Sequence, residues 1–155
     1  MNALQQDDNL TGAIMDTLRG RLGDRMAEYT IPPPCFTLMQ GEFLEFDPIP
    51  GSLSAQFPVL ESYLNPYGTM QGGLVSAAVD NTLGPLSALV APPNVTRHLE
   101  LTYSQPITLD MEHIVVRARL LERKGQQLFF KARVQNQEGL RLARAKAVHW
   151  ILNES

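Results

Sequence analysis

The apolar positions of residues 70–90 follow neither a single helical stripe nor the alternating pattern of a strand. Apolar side chains fall on nearly every face of a helix drawn through this stretch: Met70, Leu74, Val75, Ala77, Ala78, Val79, Leu83, Leu86 and Leu89. A helix that is apolar all round is one that the rest of a domain encloses. The Gly, Asp and Pro residues inside the segment make it too polar for a membrane span. The pattern predicts a central core helix, preceded by turn residues at Asn65-Pro66 and Gly68.

The small and polar residues of this segment recur at spacings of three and four and share one narrow helical face: Gly73, Ser76, Asp80, Gly84 and Ser87. Asp80 is the only ionisable group there. A carboxylate in an apolar helix is paired, hydrogen-bonded or held as a catalytic group, so a structural and a catalytic role stay equally open at this point. Pro85 removes the hydrogen bond to the carbonyl of Asn81, which predicts a kink beyond Asp80 or a helix end near Leu83.

The N-terminal part of the chain has a weaker helical pattern. Residues 11–28 carry apolar side chains four apart, at Ile14, Leu18, Leu22 and Met26. Three consecutive prolines, residues 32–34, end this helix. Residues 35–47 then resemble a strand whose alternation changes phase around Gly41, which predicts a bulge.

The rest of the chain alternates between apolar and polar positions in segments separated by short turns. Five segments show this pattern: Ser52–Phe57, Arg97–Tyr103, residues 113–122, Gln126–Gln135 and Leu140–Leu152. Strands joined by short turns pair antiparallel. The predicted fold class is α+β, with about six antiparallel strands wrapped around one long central helix, which is inserted between the second and third strands. His98 and His113 are predicted to be surface or hydrogen-bonded residues, and His149 and Trp150 to be packing residues.

Composition and charge narrow the class of protein. The 155 residues, 44% hydrophobic and 19% charged, are typical of one globular domain. The polar N-terminus is not a signal peptide, so we expect a cytoplasmic protein without a membrane span. The single Cys35, beside the prolines, is predicted to be a packed thiol, and no metal-ligand spacing is present.

The two parts of the chain differ in charge. Residues 1–96 contain 3 basic and 10 acidic residues, a net −7, whereas residues 97–155 contain 10 basic and 6 acidic residues, a net +4. A duplex-binding surface is improbable at the overall charge of −3. We therefore expect no nucleic-acid partner, although the C-terminal part can offer cations to a phosphorylated small molecule.

One motif adds a family resemblance. The string Asn65-x-x-Gly68-x-x-Gln71-Gly72-Gly73 leads into a helix whose acid, Asp80, lies eight residues past Gly72. This arrangement resembles the hotdog-fold acyl-CoA thioesterases, and within them the phenylacetate-pathway and mammalian thioesterase-superfamily branch. The resemblance spans roughly residues 50–152, and residues 95–106 are similar to the family's third strand. It implies a division into an N-terminal helix with its proline-rich connection, residues 1–34, and a hotdog domain, residues 35–155.

The resemblance also implies roles for individual residues. Asp80 would act as general base toward water or as nucleophile, and the backbone N–H of Gly72 would polarise the thioester carbonyl. Asn65 would lie near the reacting centre, and the hydroxyl of Thr96 would help to hold the water. Gln71 stands where most of this branch has His, which leaves the branch and the substrate open. A Gln is also used by the related hydroxybenzoyl-CoA thioesterases.

Substrate and partners follow from the same resemblance. Gly73 would let the backbone approach the substrate closely, while Arg123 and Lys124, at a hairpin turn, are candidate partners for the coenzyme A phosphates. Coenzyme A is part of the substrate, so no separate cofactor is expected. The family's sites are shared across a homodimer, in which Asp80 faces Asn65 and Gly72 of the other copy; a tetramer stays open.

Two alternatives to a thioesterase remain at this stage. The first is a non-catalytic acyl-thioester-binding hotdog module, with Gln71 as the sign of altered chemistry. The second is a hydratase or dehydratase, which would require a general acid and base pair that the sequence does not show.

Overall fold

A single antiparallel sheet and the central helix that it encloses dominate the computed structural model, which describes the backbone of residues 3–153 and the side chains of residues 9–153. The six strands are β1 Glu42–Asp47, β2 Ser52–Pro58, β3 Asn94–Tyr103, β4 His113–Lys124, β5 Gln127–Gln135 and β6 Arg141–Ile151. Their order across the sheet is β1-β2-β4-β5-β6-β3. All neighbouring strands pair antiparallel, which confirms the predicted sheet.

The central helix, α3, is the one predicted from the sequence. The three α-helices are α1 Ala3–Leu22, α2 Pro34–Leu38 and α3 Gly72–Val90, and a 3₁₀ turn at Gly23–Glu28 follows α1. Helix α3 connects β2 to β3 and packs on β2, β3, β4 and β5. Its apolar residues are among the most buried of the described chain; Ala78, Val79, Leu83 and Leu86 are fully inaccessible to solvent. The predicted α+β architecture, with the helix inserted between the second and third strands, is therefore confirmed.

Two helix ends differ from those expected, and of the two outcomes predicted for Pro85 a kink beyond Asp80 stays a prediction. Helix α3 does not end near Leu83 but continues through Pro85 to Val90. Burial of its apolar faces offsets the one hydrogen bond that Pro85 removes. Helix α1 begins at Ala3, well before residue 11. As predicted, Ile14 and Leu18 are buried, and they join the same core as α3.

The segment predicted as the first strand is partly helical. Residues 34–38 form α2, with Pro34 at the helix start, where its fixed φ is favourable. The phase change around Gly41 marks the end of this turn rather than a bulge, and β1 begins only at Glu42; the bulge lies further on, between Phe43 and Glu45. A Cβ at Gly41 would lie 2.7 Å from the Phe36 ring, so the two segments meet too closely for a side chain.

The prediction that the Cys35 thiol is packed was also wrong. The residue is exposed rather than packed, because only the opposite face of the short α2, with Phe36, points into the core. The Asn81 amide of α3 donates to the sulfur atoms of Cys35 and Met39, each at 3.3 Å. These contacts attach α2 and Met39, the residue after it, to α3.

One edge of the sheet is long and solvent-exposed. Strand β3 is ten residues long and pairs only with β6, with a register shift between Thr96 and His98. The large apolar side chains of Val95 and Tyr103 on this strand are 46% and 51% exposed. An exposed edge strand of this length is a template for pairing with another chain. Within residues 3–153, no helix is long and apolar enough to cross a membrane.

Candidate active site

Asp80 lies on the face of α3 that points toward the start of β3. The hydroxyl of Thr96 donates a hydrogen bond to Asp80 Oδ1 at 3.0 Å. Both residues are exposed to solvent in the single chain. No ion pair to Asp80 is formed by the side chains of residues 9–153. The structure thus brings Asp80 and Thr96 together, with the carboxylate hydrogen-bonded and free of a cation.

A buried histidine lies behind Thr96. His149 of β6 is opposite Thr96 in the strand register, and its Nε2 lies 3.2 Å from Thr96 Oγ1. Its other ring nitrogen, Nδ1, lies 2.9 Å from Asn94 Oδ1. Asn94 is oriented by its own amide, which donates to the carbonyl of Pro92 at 2.8 Å, so the oxygen of Asn94 faces the ring. An amide oxygen only accepts, so His149 Nδ1 carries the proton of this hydrogen bond.

The surroundings of His149 favour its neutral form. Only 1% of the residue is accessible to solvent, and this burial lowers the pKa of His149, while the negative charge of Asp80 opposes the shift. The ring packs on Phe130, with centroids 4.8 Å apart. The prediction of a packing residue captured the burial but missed the hydrogen-bonded chain from Asn94 to Asp80. The one sequence signal for these hydrogen bonds was a histidine at an inward-facing position among the alanines of β6.

The second group of predicted site residues surrounds the start of α3. Gly72 is the first residue of the helix, Gly73 the second, and Gln71 the N-cap, whose side chain makes no capping hydrogen bond. The N–H groups of a first helical turn have no partner within the helix, and the helix dipole makes this end electropositive. The hydroxyl of Tyr103 donates to the carbonyl of Gly72 at 2.7 Å. A Cβ at Gly72 would lie 3.3 Å from the Tyr103 ring and hydroxyl, so a larger residue here would require a small shift of Tyr103, which sequence reasoning did not single out.

Asn65 shapes the loop that leads into the helix. Its Oδ1 accepts hydrogen bonds from the backbone N–H groups of Tyr67 at 2.9 Å and Thr69 at 3.2 Å, and its Nδ2 donates to Thr69 Oγ1 at 2.9 Å. These are the contacts of an Asx turn. One N–H of the Asn65 amide is left for another acceptor.

The two groups of residues are separated within one chain. Asp80 follows Gly72 by eight residues, which corresponds to about 12 Å along the helix axis. A water held by Asp80 therefore cannot attack a carbonyl bound at the Gly72 N–H of the same chain. The structure joins Asp80 to Thr96, and Asn65, Gln71, Gly72 and Gly73 to one another, but it does not join the two groups.

A cavity of about 540 Å³ opens beside Asp80. Asp80, Asn94, Thr96 and His149 contribute its polar wall. The other walls are mostly apolar and come from α1, residues 29–33 and the second half of α3. Among the described residues that line this cavity, no lysine or arginine is present. Its volume lies within the range of small-molecule pockets, roughly 300–1,000 Å³.

The predicted coenzyme A partners lie outside this cavity, at the turn between β4 and β5. Arg123 of β4 is opposite Leu128 of β5, which is opposite His149 of β6. Because neighbouring strands are about 5 Å apart, the backbone of Arg123 lies about 10 Å from that of His149. Arg123 Nε donates to the carbonyl of Gly125 at 3.0 Å. Lys124 Nζ lies 3.1 Å from Glu122 Oε1. Both cations are exposed at the same end of the sheet as Asp80.

Comparison with known proteins gives the family. No family profile matches the chain. Acyl-coenzyme A thioesterase 13 of Homo sapiens and that of Pongo abelii are each 32% identical to it over 97 residues, which cover 61% of this chain and 68% of each relative.

Solved structures agree. A phenylacetic acid degradation-related protein of Ralstonia eutropha JMP134 superposes with a TM-score of 0.72 and 25% identity, covering 83% of this chain and 98% of its own. The E. coli PaaI protein of the phenylacetic acid degradation operon superposes with a TM-score of 0.74 and 13% identity, covering 90% and 96%. The latter likeness shows the fold alone. The chain, with its six-stranded sheet around one central helix, belongs to the hotdog-fold acyl-CoA thioesterases and is a thioester hydrolase.

Proposed function

We propose that this protein hydrolyses an acyl-CoA thioester to the free acid and coenzyme A, with Asp80 as general base. The observation that carries the proposal is the Asp80 carboxylate, hydrogen-bonded by Thr96 at 3.0 Å on the wall of an apolar cavity. A carboxylate without a paired cation can accept a proton from water. A purely binding module has no use for an unpaired carboxylate beside the site of an apolar ligand.

The chemistry requires few groups because a thioester is already reactive. The water oxygen attacks the thioester carbonyl carbon, and one water proton passes to Asp80. The developing oxyanion is stabilised by the Gly72 N–H at the electropositive start of α3. Collapse of the tetrahedral intermediate breaks the carbon–sulfur bond, and the coenzyme A thiolate takes up the proton. Gln71, exposed at the N-cap, supplies a further amide donor or acceptor near the same carbonyl.

The distance between Asp80 and Gly72 within one chain supports a site shared between two copies. Strand β3 carries Thr96 near one end and Tyr103, which contacts Gly72, at the other. Antiparallel pairing of β3 with the same strand of a second copy brings these opposite ends together. The Asp80 group of each copy then approaches the helix start of the other, and two sites form per dimer.

The coenzyme A portion is assigned to the exposed cations at the β4–β5 turn. Its phosphates need positive partners, and the cavity beside Asp80 offers none among its described residues. The backbone of Arg123 lies about 10 Å from that of His149, and within residues 9–153 the side chains of Arg123 and Lys124 bind only neighbouring residues. Gly73, beside Gly72, leaves the backbone uncovered where the thioester would approach.

We expect the purified protein to release one equivalent of free thiol from acyl-CoA substrates. A panel of short, medium, long and aromatic acyl-CoAs, followed with a thiol reagent, measures this. Binding of acyl-CoA without thiol release from any member would favour the non-catalytic module instead. Neither binding nor release would contradict both functions.

A further inference from the structure

The cavity beside Asp80 has the character of a hydrocarbon site. Its walls include Leu18 and Leu22 of α1, Ile31 of the proline-rich segment and Leu89 of α3. Among the described residues that line it, Asp80 is the sole carboxylate and no lysine or arginine is present, so this cavity would repel the phosphates of coenzyme A. We propose that this cavity receives an aliphatic acyl chain of medium or long length, enclosed by α1 and residues 29–33. The inference rests on the proposed hydrolysis, because it places the acyl carbonyl beside Asp80.

The mouth of the cavity supports an apolar occupant that enters from solvent. Tyr29, Val95 and Leu152 line the cavity and are 40%, 46% and 48% exposed. Burial of apolar surface is favourable, so each added methylene that enters the cavity strengthens binding by up to about fourfold. We therefore expect affinity to rise with chain length until the cavity is full.

Gly84 offers a direct test. It lies one helical turn beyond Asp80 and lines the cavity, and a Cβ at this position would meet no atom from another part of the chain within 4 Å. Gly84→Leu therefore fills part of the cavity, and thermal unfolding checks that the leucine before Pro85 is tolerated. We expect kcat/KM for dodecanoyl-CoA to fall at least tenfold relative to that for butanoyl-CoA, since the long chain loses its space.

The matched control is Gly20→Leu in α1. Gly20 is also helical, is exposed, has no atom from another part of the chain within 4 Å of an added Cβ, and does not line the cavity. This variant should keep the wild-type preference for chain length. Equal preference in Gly84→Leu and wild type would overturn the assignment, as would a wild type that favours an aromatic acyl-CoA over every aliphatic one.

Failure of the proposed function can be told apart from failure of this inference. Affinities of non-hydrolysable thioether analogues with the same chain lengths report the cavity without turnover. Tighter binding of longer chains that Gly84→Leu abolishes supports the assignment even if no thiol is released. Affinity independent of chain length contradicts it even if hydrolysis proceeds.

A second inference rests on the hydrogen-bonded chain behind Asp80, independently of the cavity. Thr96 has one hydroxyl proton but two possible acceptors, Asp80 Oδ1 at 3.0 Å and His149 Nε2 at 3.2 Å. His149 Nδ1 already carries a proton toward Asn94. With Asp80 ionised and His149 neutral, one of the two contacts of Thr96 lacks a proton. One additional proton, on Asp80 or on His149 Nε2, completes the chain.

We infer that His149 is a positioning residue that shares the proton taken up by Asp80. When water attacks the thioester, Asp80 receives its proton and donates to Thr96 Oγ1, while the Thr96 hydroxyl proton moves to His149 Nε2. Asp80 is then ionised again and His149 is a cation. The proton returns along the same path and leaves with the coenzyme A thiolate, so that His149 ends the cycle neutral.

Variants at both ends of this chain test the inference. Thr96→Val removes the hydroxyl at constant shape and at an exposed position, and His149→Gln retains a polar group but cannot hold the extra proton. We expect each to lower kcat by about tenfold or more with little change in KM. Thr96→Ser, which restores the hydroxyl, should recover most of the rate.

The double variant separates a relay from two structural effects. If Thr96 and His149 act as one unit, Thr96→Val combined with His149→Gln should be no slower than either single variant. His113→Gln is the matched control, because His113 begins β4, does not line the cavity, and has only Gln137 Nε2, at 3.4 Å, near its Nδ1 among the described residues. Additive losses, or wild-type kcat in His149→Gln, would overturn the inference.

Discussion

Replacing Asp80 by asparagine should lower kcat by about 10²- to 10⁴-fold, the range expected for loss of a general base. Asparagine has the same shape, and its side-chain oxygen can still accept the hydrogen bond from Thr96. It does not take a proton from water. Because Asp80 is exposed and has no ion pair among residues 9–153, the change leaves no buried charge without a partner. The free energy of unfolding should therefore change by no more than about 0.5 kcal/mol.

Thiol release and thermal unfolding together check this expectation. Asp110→Asn is the matched control, since Asp110 is an exposed aspartate in the 3₁₀ turn Leu109–Met111, away from the cavity. It should keep both kcat and the melting temperature. If Asp80→Asn turned over acyl-CoA at the wild-type rate, Asp80 would not be the base, whatever the substrate.

Mixing two inactive variants should restore about one quarter of the wild-type activity, because half of randomly assorted dimers are mixed and each mixed dimer has one intact site. The variants are Asp80→Asn and Gly72→Pro. Proline removes the Gly72 N–H, yet it is favourable at the first helical position, and Gln71, with ψ of 131°, already has the backbone that a following proline requires. Each protomer of a mixed dimer supplies the half that the other lacks.

Two controls make the mixing experiment specific. Gly72→Ala introduces the same Cβ, 3.3 Å from Tyr103, but retains the N–H, so it reports the steric effect alone. Asp80→Asn mixed with Thr96→Val combines two defects of the same half and should show no recovery beyond the sum of the parents. Mixed dimers that form without regaining activity, or a monomeric mass in solution, would contradict the shared site.

The sequence predicted those parts of the fold that are properties of short segments. The apolar faces of residues 70–90 required a buried helix, and alternation over residues such as 52–57 required strands, because helical and strand periodicities are visible within a few residues. The motif from Asn65 to Gly73 likewise indicated the start of α3, where glycine and turn residues have local geometric causes. The apolar pattern wrongly predicted a strand that includes residues 35–38, because a five-residue helix is too short to show a helical period.

The rest of the candidate site was decided by tertiary structure. Thr96 and His149 are 53 residues apart and meet only because β3 pairs with β6. Nothing in either strand's own pattern specifies that partner, since alternation fixes which face a residue occupies but not which strand lies beside it. The cavity depends on α1 folding back over α3, and Tyr103 covers Gly72 through the same long-range packing. The sequence by itself determined the core helix, the strands and the carboxylate; only the tertiary structure decided which polar groups surround Asp80 and what shape of ligand can approach it.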